Sequence, residues 1–327
     1  MKVTKRILPK VFHPEFFQSH KNHRRYFENW LFKLVSEDRN SVLVIIPVME
    51  LGSNQRCYVQ FLNGITGETC VAYYDLSELI SSKYEMNFSF GENSFSEKGI
   101  KISIDQKGFK GSGKIRFGEL MEYPSYGLKR NVIGYLSFMP FQHIYYAVIS
   151  MHHKISGSIS INNQTLNFDN GTGFIEKTWG KYYPESWLYI GCNTFTVPDT
   201  YFVITVSTVN LGFTKILGNV GYFYYKGKLI NLSFYTKTKF TKFDQQGKVL
   251  LVELTKGKHR IEISLIPRNK GKIKIPSATD NRYVSESADS TLHLNYFVNN
   301  ELILSTEGEH AEYDFVEGLN DLISRKF

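Results

Sequence analysis

The stretch YAVISMHHKISGSISI, residues 146–161, alternates its side chains with a period of two. Ile149, Met151, His153, Ile155, Ile159 and Ile161 fall on one face, and Ser150, His152, Lys154, Ser156 and Ser158 on the other. Successive side chains leave a strand on opposite faces, so this pattern predicts a long half-buried β-strand. NNQ (162–164) follows as a turn signal. The same alternation recurs in SVLVIIPVM (41–49), RCYVQFL (56–62), KGIKISI (98–104), TYFVITVSTV (200–209), VGYFYYKGKLINLSFY (220–235), KVLLVEL (248–254) and HRIEISLI (259–266). Between these lie NGITGE (63–68), GSG (111–113), NGTG (170–173), KGK (226–228 and 256–258) and NN (299–300). Only YDLSELISSKY (74–84) and EGLNDLISRKF (317–327) read as helical. Many evenly spaced strands with little helix predict an all-β chain of antiparallel barrels. The hairpin around 146–169 and a fresh aromatic strand after Pro184 place a join at 170–190. The expected layout is an N-terminal extension over 1–20, an N-terminal β-barrel over 21–182 and a C-terminal β-barrel over 183–327.

Composition supports this reading. The chain has 327 residues, enough for about two domains of ~150 residues. Its 25 Phe, 21 Tyr and 3 Trp make up 15% of the residues, an aromatic load that suits packed sheets rather than disorder. The longest apolar stretch, Val42 to Met49, is broken by Pro47 and falls short of the ~20 residues of a membrane helix. The opening MKVTKRILPKVFHPEFF (1–17) is basic and leads into no apolar h-region, so no secretory signal is expected. Cys57, Cys70 and Cys192 show no CxxC spacing, which implies neither a disulfide framework nor a zinc knuckle. A reducing, cytoplasmic setting is the expectation.

The net charge of +8 is unevenly spread. Residues 226–274 hold 11 Lys and 2 Arg against Asp244, Glu253 and Glu262, a local +10, whereas 300–327 carries −5. Such a segment can attract an anionic membrane surface in peripheral contact. It is also the usual composition of a solvated face. Lysine dominates over the planar Arg fork that base reading favours, so nucleic acid is not expected as a partner.

Three constellations carry chemistry. In RRYFENWLFKLV (24–35), Glu28 shares a face with Tyr26, Trp30, Phe32 and Leu34. A carboxylate there is costly unless it is paired or protonated. It reads either as an acid with a raised pKa or as a buried ion pair with a Lys or Arg across the barrel. His153 is the interior histidine of its pair, and His152 the wet one. No ligand spacing surrounds it, and no metal site is expected. In GTGFIEKTWGKYYPESWLYIGCNTF (171–195), Glu176 shares a face with Phe174 and Thr178, while Ile175, Lys177 and Trp179 point the other way. Gly180 permits a sharp bend and Pro184 ends the pairing. Charged residues among large aromatics at a domain join fit the wall of a site, and equally an interdomain seam.

HRRYFENWLFK (23–33) and VISMHHKISGSISINNQTLNFDNGTGFIEKTWGKYYPESWLYIGCNTF (148–195) resemble the tocopherol cyclase family in its bacterial branch. The patterns matched are a YFEGWYFK-like strand, a SMxHxLSGSIxIxG hairpin and an EKxWGxxFPxxWxWxQxNxF core. Glu28, Trp30, His153, Glu176, Lys177, Trp179, Gly180, Pro184, Trp187 and Asn193 keep the pattern. Asn29, Leu31, Thr178, Tyr189 and Gly191 depart from it, and Gly191 lacks the Gln that would grip a head group.

The resemblance implies two tandem lipocalin-like barrels around an apolar isoprenoid, quinone or lipid. It also implies a cofactor-independent, acid-catalysed cyclisation of a prenylated hydroquinone to a chromanol-type ring. That chemistry needs a neutral carboxylic acid, electron-rich rings near a developing cation, and exclusion of water. By resemblance, Glu28 or Glu176 is the donor, and His153 or Lys177 orients the phenol or tunes the acid. Trp30, Trp179 and Trp187 wall the cation, with Tyr26, Tyr189 and Asn193 completing the ligand site. A non-catalytic lipid carrier using the same cavity, or an interdomain clasp, is the alternative. An apolar cavity holding a carboxyl without a cationic partner marks the cyclase.

Overall fold

The computed structural model describes residues 10–19, 25–52, 55–125, 127, 131–139, 142–210, 215–276 and 282–316. Its strands form two antiparallel sheets. The first has twelve strands, ordered Thr69–Asp75, Arg56–Asn63, Val42–Leu51, Tyr26–Val35, Gly171–Gly180, Ile144–Ile161, Phe109–Phe117, Gly99–Gln106, Asn93–Ser96, Asn87–Phe90 and Ile80–Ser81, with Gln164–Asn167 on Ile144–Ile161. The second has ten, ordered Lys228–Asn231, Lys215–Tyr225, Thr200–Asn210, Trp187–Cys192, Glu301–Phe315, Tyr283–Val298, His259–Ile266, Val249–Lys256 and Lys239–Gln246, with Lys270–Lys274 on Tyr283–Val298.

Both sheets are wired alike. In each, the first strand in sequence pairs with the last: Tyr26–Val35 with Gly171–Gly180, and Trp187–Cys192 with Glu301–Phe315. In each, the two ends of the ladder are neighbours in sequence, separated by a 3₁₀ turn at Leu76–Glu78 or Phe234–Thr236. Among the described residues no backbone pairing closes either sheet. Side chains bridge the first gap instead. The Tyr73 N–H donates to Gln106 Oε1 at 3.3 Å, and Gln106 Nε2 returns a bond to the Tyr73 carbonyl at 2.8 Å. Phe61 meets Phe109 at 5.1 Å and Tyr74 meets Phe90 at 5.4 Å, so the sheet curls around its own core.

Three apolar clusters result. One fills the first sheet, around Trp30, Phe32, Phe61 and Phe95. Another fills the second sheet, around Phe202, Phe223 and Leu292. The third lies between the sheets and joins Leu31, Val44, Phe174 and Tyr58 to Trp187, Tyr189, Tyr222 and Val284. Full burial of each large side chain contributes roughly 1.5–3 kcal/mol, and this is where the aromatic excess is spent.

The opening stretch forms one strand, Ile144–Ile161, and Asn162 and Asn163 turn it back at φ 45° and 73°. Asparagine tolerates that left-handed region and makes the tight hairpin possible. The alternation fails at one point. Irregular pairing between Ser150 and His153 moves Met151 off the face of Ile149 and into the cluster between the sheets. A first shift lies between Val148 and Ser150, and the two together restore the phase, so His153, Ile155 and Ile159 return to the side of Ile149.

The helix expected at 74–84 is one 3₁₀ turn, Leu76–Glu78, followed by the short strand Ile80–Ser81. Leu76 and Leu79 pack on the first core, and Glu78 Oε1 accepts the Asp75 N–H, which holds a single turn in place of a helix. The helix expected at 317–327 lies outside the described residues. Within the segment expected as an extension, Phe17 is buried in the first core, 5.1 Å from Trp30 and 5.8 Å from Phe88. Among the described residues, no helix is long and apolar enough to cross a membrane.

Candidate functional site

Tyr26–Val35 and Gly171–Gly180 run antiparallel with Glu28 opposite Trp179, Trp30 opposite Lys177, and Leu31 opposite Glu176. Directly opposed residues share a face. One face of the pair therefore presents Glu28, Trp30, Lys177 and Trp179 to the first core. The other presents Asn29, Leu31, Glu176 and Thr178 to the second sheet. At the strand's end Gly180 has φ +148°, and a Cβ there would strike the His143 carbonyl, so the bend that releases the chain toward Pro184 requires glycine.

On the inner face the two charged groups are paired with each other. Lys177 Nζ lies 2.6 Å from Glu28 Oε2, and both side chains are fully buried. Lys177 also donates to the Phe16 carbonyl at 2.6 Å and stands 4.3 Å from the Trp30 ring and 5.1 Å from that of Trp179. Glu28 accepts the backbone N–H groups of Gln18 and Ser19 and the Tyr26 hydroxyl. Of the two readings open for Glu28, the ion pair is the one present. The N-terminal segment seals that pair from above.

The outer face is different. Between the sheets lies a cavity of about 150 Å³. Its walls are largely apolar, from Leu31, Ile46, Val48, Ile133, Leu136, Val220 and Val284, and Glu176 projects into it. Glu176 Oε2 accepts the hydroxyls of Tyr146 at 2.6 Å and Tyr189 at 2.8 Å. No cation pairs with it among the described residues. Burial raises its carboxyl to about 8, the Glu312 charge adds to this, and the two tyrosine hydroxyls oppose it. At neutral pH Glu176 is a neutral acid.

The second sheet lines the opposite wall with a row of polar groups. Tyr189 stands opposite Asp314, and Asp314 opposite Glu286, across three strands. Asp314 accepts the Trp187 indole N–H, and burial lifts its carboxyl to about 7. Burial also lifts Glu286 well above the ordinary carboxyl range, and the charges of Asp314, Glu312 and Glu176 lift it further. Behind this row Lys33 Nζ and Glu312 Oε2 lie 3.7 Å apart, both buried. The Tyr183 hydroxyl donates to Asn29 Oδ1 at 2.9 Å and also bonds Thr178.

Of the residues singled out from sequence, the cavity brings together Glu176, Trp187 and Tyr189. Glu28, Lys177, Trp30, Trp179 and Tyr26 lie on the far side of the same strand pair. Trp179 and Tyr26 line a separate crevice beneath the N-terminal segment, with Tyr145 and Gln18. His153 is the interior member of its pair, as alternation predicts, but it belongs to the first sheet's lining. Its Nδ1 is 2.9 Å from Ser150 Oγ, its ring meets Phe117, and burial lowers it to about 3. It is neutral and does not reach Glu176's cavity. Asn193 donates to the Gly173 carbonyl at 3.2 Å in a third crevice.

Sequence reasoning missed Tyr146, Tyr183, Glu286, Asp314 and Lys33. The alternation in AEYDF (311–315) held a signal. Ala311 and Tyr313 enter the second core, which turns Glu312 and Asp314 toward the first sheet. Four of the five departures from the resembled pattern, Asn29, Leu31, Thr178 and Tyr189, line the cavity itself. The fifth, Gly191, lies beside it. A Cβ at 191 would come within 2.7 Å of the Tyr189 hydroxyl.

A family model described as tocopherol cyclase-like matches residues 114–293, more than half of the chain. The chain belongs to the tocopherol cyclase-like family. No curated protein matches it. Among solved structures, CghA crystallised with Sch210972 superposes on this family member with a TM-score of 0.56 at 11% identity, covering 90% of this chain and 89% of that one. A protein from Nitrosomonas europaea assigned as AttH gives 0.53 at 12% identity, covering 95% and 98%. These likenesses span nearly the full length of both chains and show a shared two-part, lipocalin-like fold.

Proposed function

We propose that this tocopherol cyclase-like protein is a cofactor-independent cyclase that closes a chromanol-type ring on a prenylated hydroquinone or related isoprenoid. Glu176 is the proton donor. The observation that carries this reading is a buried carboxyl, uncharged at neutral pH, facing a largely apolar cavity and paired to no cation among the described residues, Lys274 standing elsewhere in the cavity lining. Protonating an alkene needs such an acid. As Glu176 gives up its proton, the Tyr146 and Tyr189 hydroxyls are already placed to stabilise the carboxylate that forms. Trp187 and the tyrosines offer electron-rich rings to the tertiary cation. The apolar walls keep out water that would trap the cation as an alcohol. A void of this size holds about one aromatic ring, which suits the hydroquinone head and leaves the prenyl chain to extend along the seam between the sheets. Family membership and the small-molecule complex of CghA support an apolar organic substrate.

Incubation with a prenylated hydroquinone is expected to give an isomer of equal mass and altered ultraviolet spectrum, and Glu176→Gln to abolish it. Binding without conversion by the unaltered protein would favour the carrier reading and remove this one.

A further inference from the structure

A cyclisation moves two protons, and Glu176 accounts for one. The alkene gains a proton, while the attacking hydroxyl must lose its own as the C–O bond forms. The wall facing Glu176 holds two carboxyl side chains in register on neighbouring strands, Asp314 and Glu286, both lining the cavity. Like charges directly opposed across a ladder repel, so the pair does not carry two charges at once. Glu286 is 7% exposed, and its Oε1 has no hydrogen-bond partner among the described residues. Asp314 Oδ1 is likewise buried without one, while the same carboxyl accepts the Trp187 N–H. Buried carboxyl oxygens left unsatisfied at the wall of a cavity cost free energy unless a ligand completes them.

We propose that Asp314, with Glu286 beside it and Trp187 holding it, is the catalytic proton acceptor of this cavity and takes the proton of the substrate's hydroxyl. The assignment rests on the cyclase reading above. The two residues divide the charge. Asp314 has an indole donor to stabilise its anion and ionises first, whereas Glu286 has none and keeps its proton. The groups facing the pair are Glu176 and Tyr146 from the first sheet, Tyr183, Tyr189 on the neighbouring strand, Glu312 along the same strand with Lys33 paired to it beyond, and Lys274, which lines the cavity from the strand beside that of Glu286.

The cycle then balances without a redox step. Glu176 gives its proton to one alkene carbon, and the phenolic oxygen bonds to the other. The O–H bond breaks toward Asp314, leaving Asp314 protonated and Glu176 ionised. When the product leaves, Asp314 gives its proton to water and Glu176 takes one up, which resets the pair. With Asp314 ionised to accept the proton, its charge disfavours a phosphorylated or carboxylated head group and favours an uncharged hydroxyl-bearing one.

The test is kinetic, with a geranylated hydroquinone as probe, comparing the unaltered protein, Glu176→Gln, Asp314→Asn and Trp187→Phe. In the unaltered protein kcat/KM should rise with pH as Asp314 ionises near 7, and fall as Glu176 ionises near 8. Asp314→Asn should lose about 10²- to 10⁴-fold in kcat with little change in KM, and lose the lower limb. Trp187→Phe keeps a ring but removes the N–H that favours the Asp314 anion, so it should move the lower limb to higher pH. This second variant decides the matter if Asp314→Asn fails to fold. Near-normal turnover by Asp314→Asn beside an inactive Glu176→Gln, or an unmoved lower limb in Trp187→Phe, overturns the proposal and leaves the cyclase standing. No isomer from the unaltered protein overturns both.

Discussion

Glu28 and Glu176 are two buried glutamates on opposite faces of one strand pair, and they have opposite chemistry. Glu28 has an ammonium at 2.6 Å, two backbone N–H donors and a tyrosine hydroxyl. Glu176 has two neutral hydroxyls and carboxyl neighbours, which leave burial in control. One is held in an ion pair within the first core, and the other is the acid we propose to react. Burial alone does not make a catalytic carboxyl; the absence of a cation does.

The sharpest way to break that contrast is Glu176→Gln. Amide and neutral acid have the same shape, so the fold should persist while turnover falls by at least ~10²-fold. An active variant would make the two glutamates alike in function. Next in size is Lys177→Met, which strands Glu28 in the first core. Removing one partner of a buried pair costs about 3–5 kcal/mol, and chemical denaturation should show it. A loss below ~1 kcal/mol would mean that the Lys177–Glu28 pair does little to hold the first core.

A smaller effect should appear in the pH dependence of stability. Glu176 holds its proton to about 8 when folded but loses it near 4.5 when unfolded. The unfolded chain then binds fewer protons between those values, and its contribution to stability declines as pH rises from about 4.5 to 8. The Tm of Glu176→Gln should gain on that of the unaltered protein across this window, and a constant difference would contradict the raised value. The smallest effect belongs to Tyr146→Phe. It removes a donor that lowers the Glu176 pKa, so the alkaline limb of the activity profile should move to higher pH.

Much of the fold could be read from alternation because a sheet's period is local. The strand at 146–161, its asparagine turn and the face shared by Glu28 and Trp30 need only their own residues. The failures are where distant parts decide. Met151 changes face because of a bulge, which pairing with other strands selects. The 74–84 segment has helical spacing, yet one 3₁₀ turn suffices to join the ends of the ladder. At the site, the sequence could bring Glu28 and Glu176 forward but could not distinguish them. The distinction lies in Lys177 reaching diagonally to one, and in Asp314 and Glu286 arriving from a strand pair more than a hundred residues away to face the other. The 300–327 segment has the composition of an acidic tail in solvent, yet Glu312 and Asp314 enter the seam.

Gly191 gives this site an evolutionary grammar. A Cβ there would occupy the space into which the Tyr189 hydroxyl reaches, and only by keeping that space empty does the phenol meet Glu176. Any larger residue at 191 therefore pushes the Tyr189 hydroxyl from its place. The two departures from the resembled Trp and Gln amount to a single exchange, in which a side chain at one position gives way to a longer reach from another. Installing glutamine at 191 alone should damage the acid, whereas restoring both positions together should be milder than the sum of its parts. Such non-additivity would mark the two positions as one unit in tuning the Glu176 carboxyl.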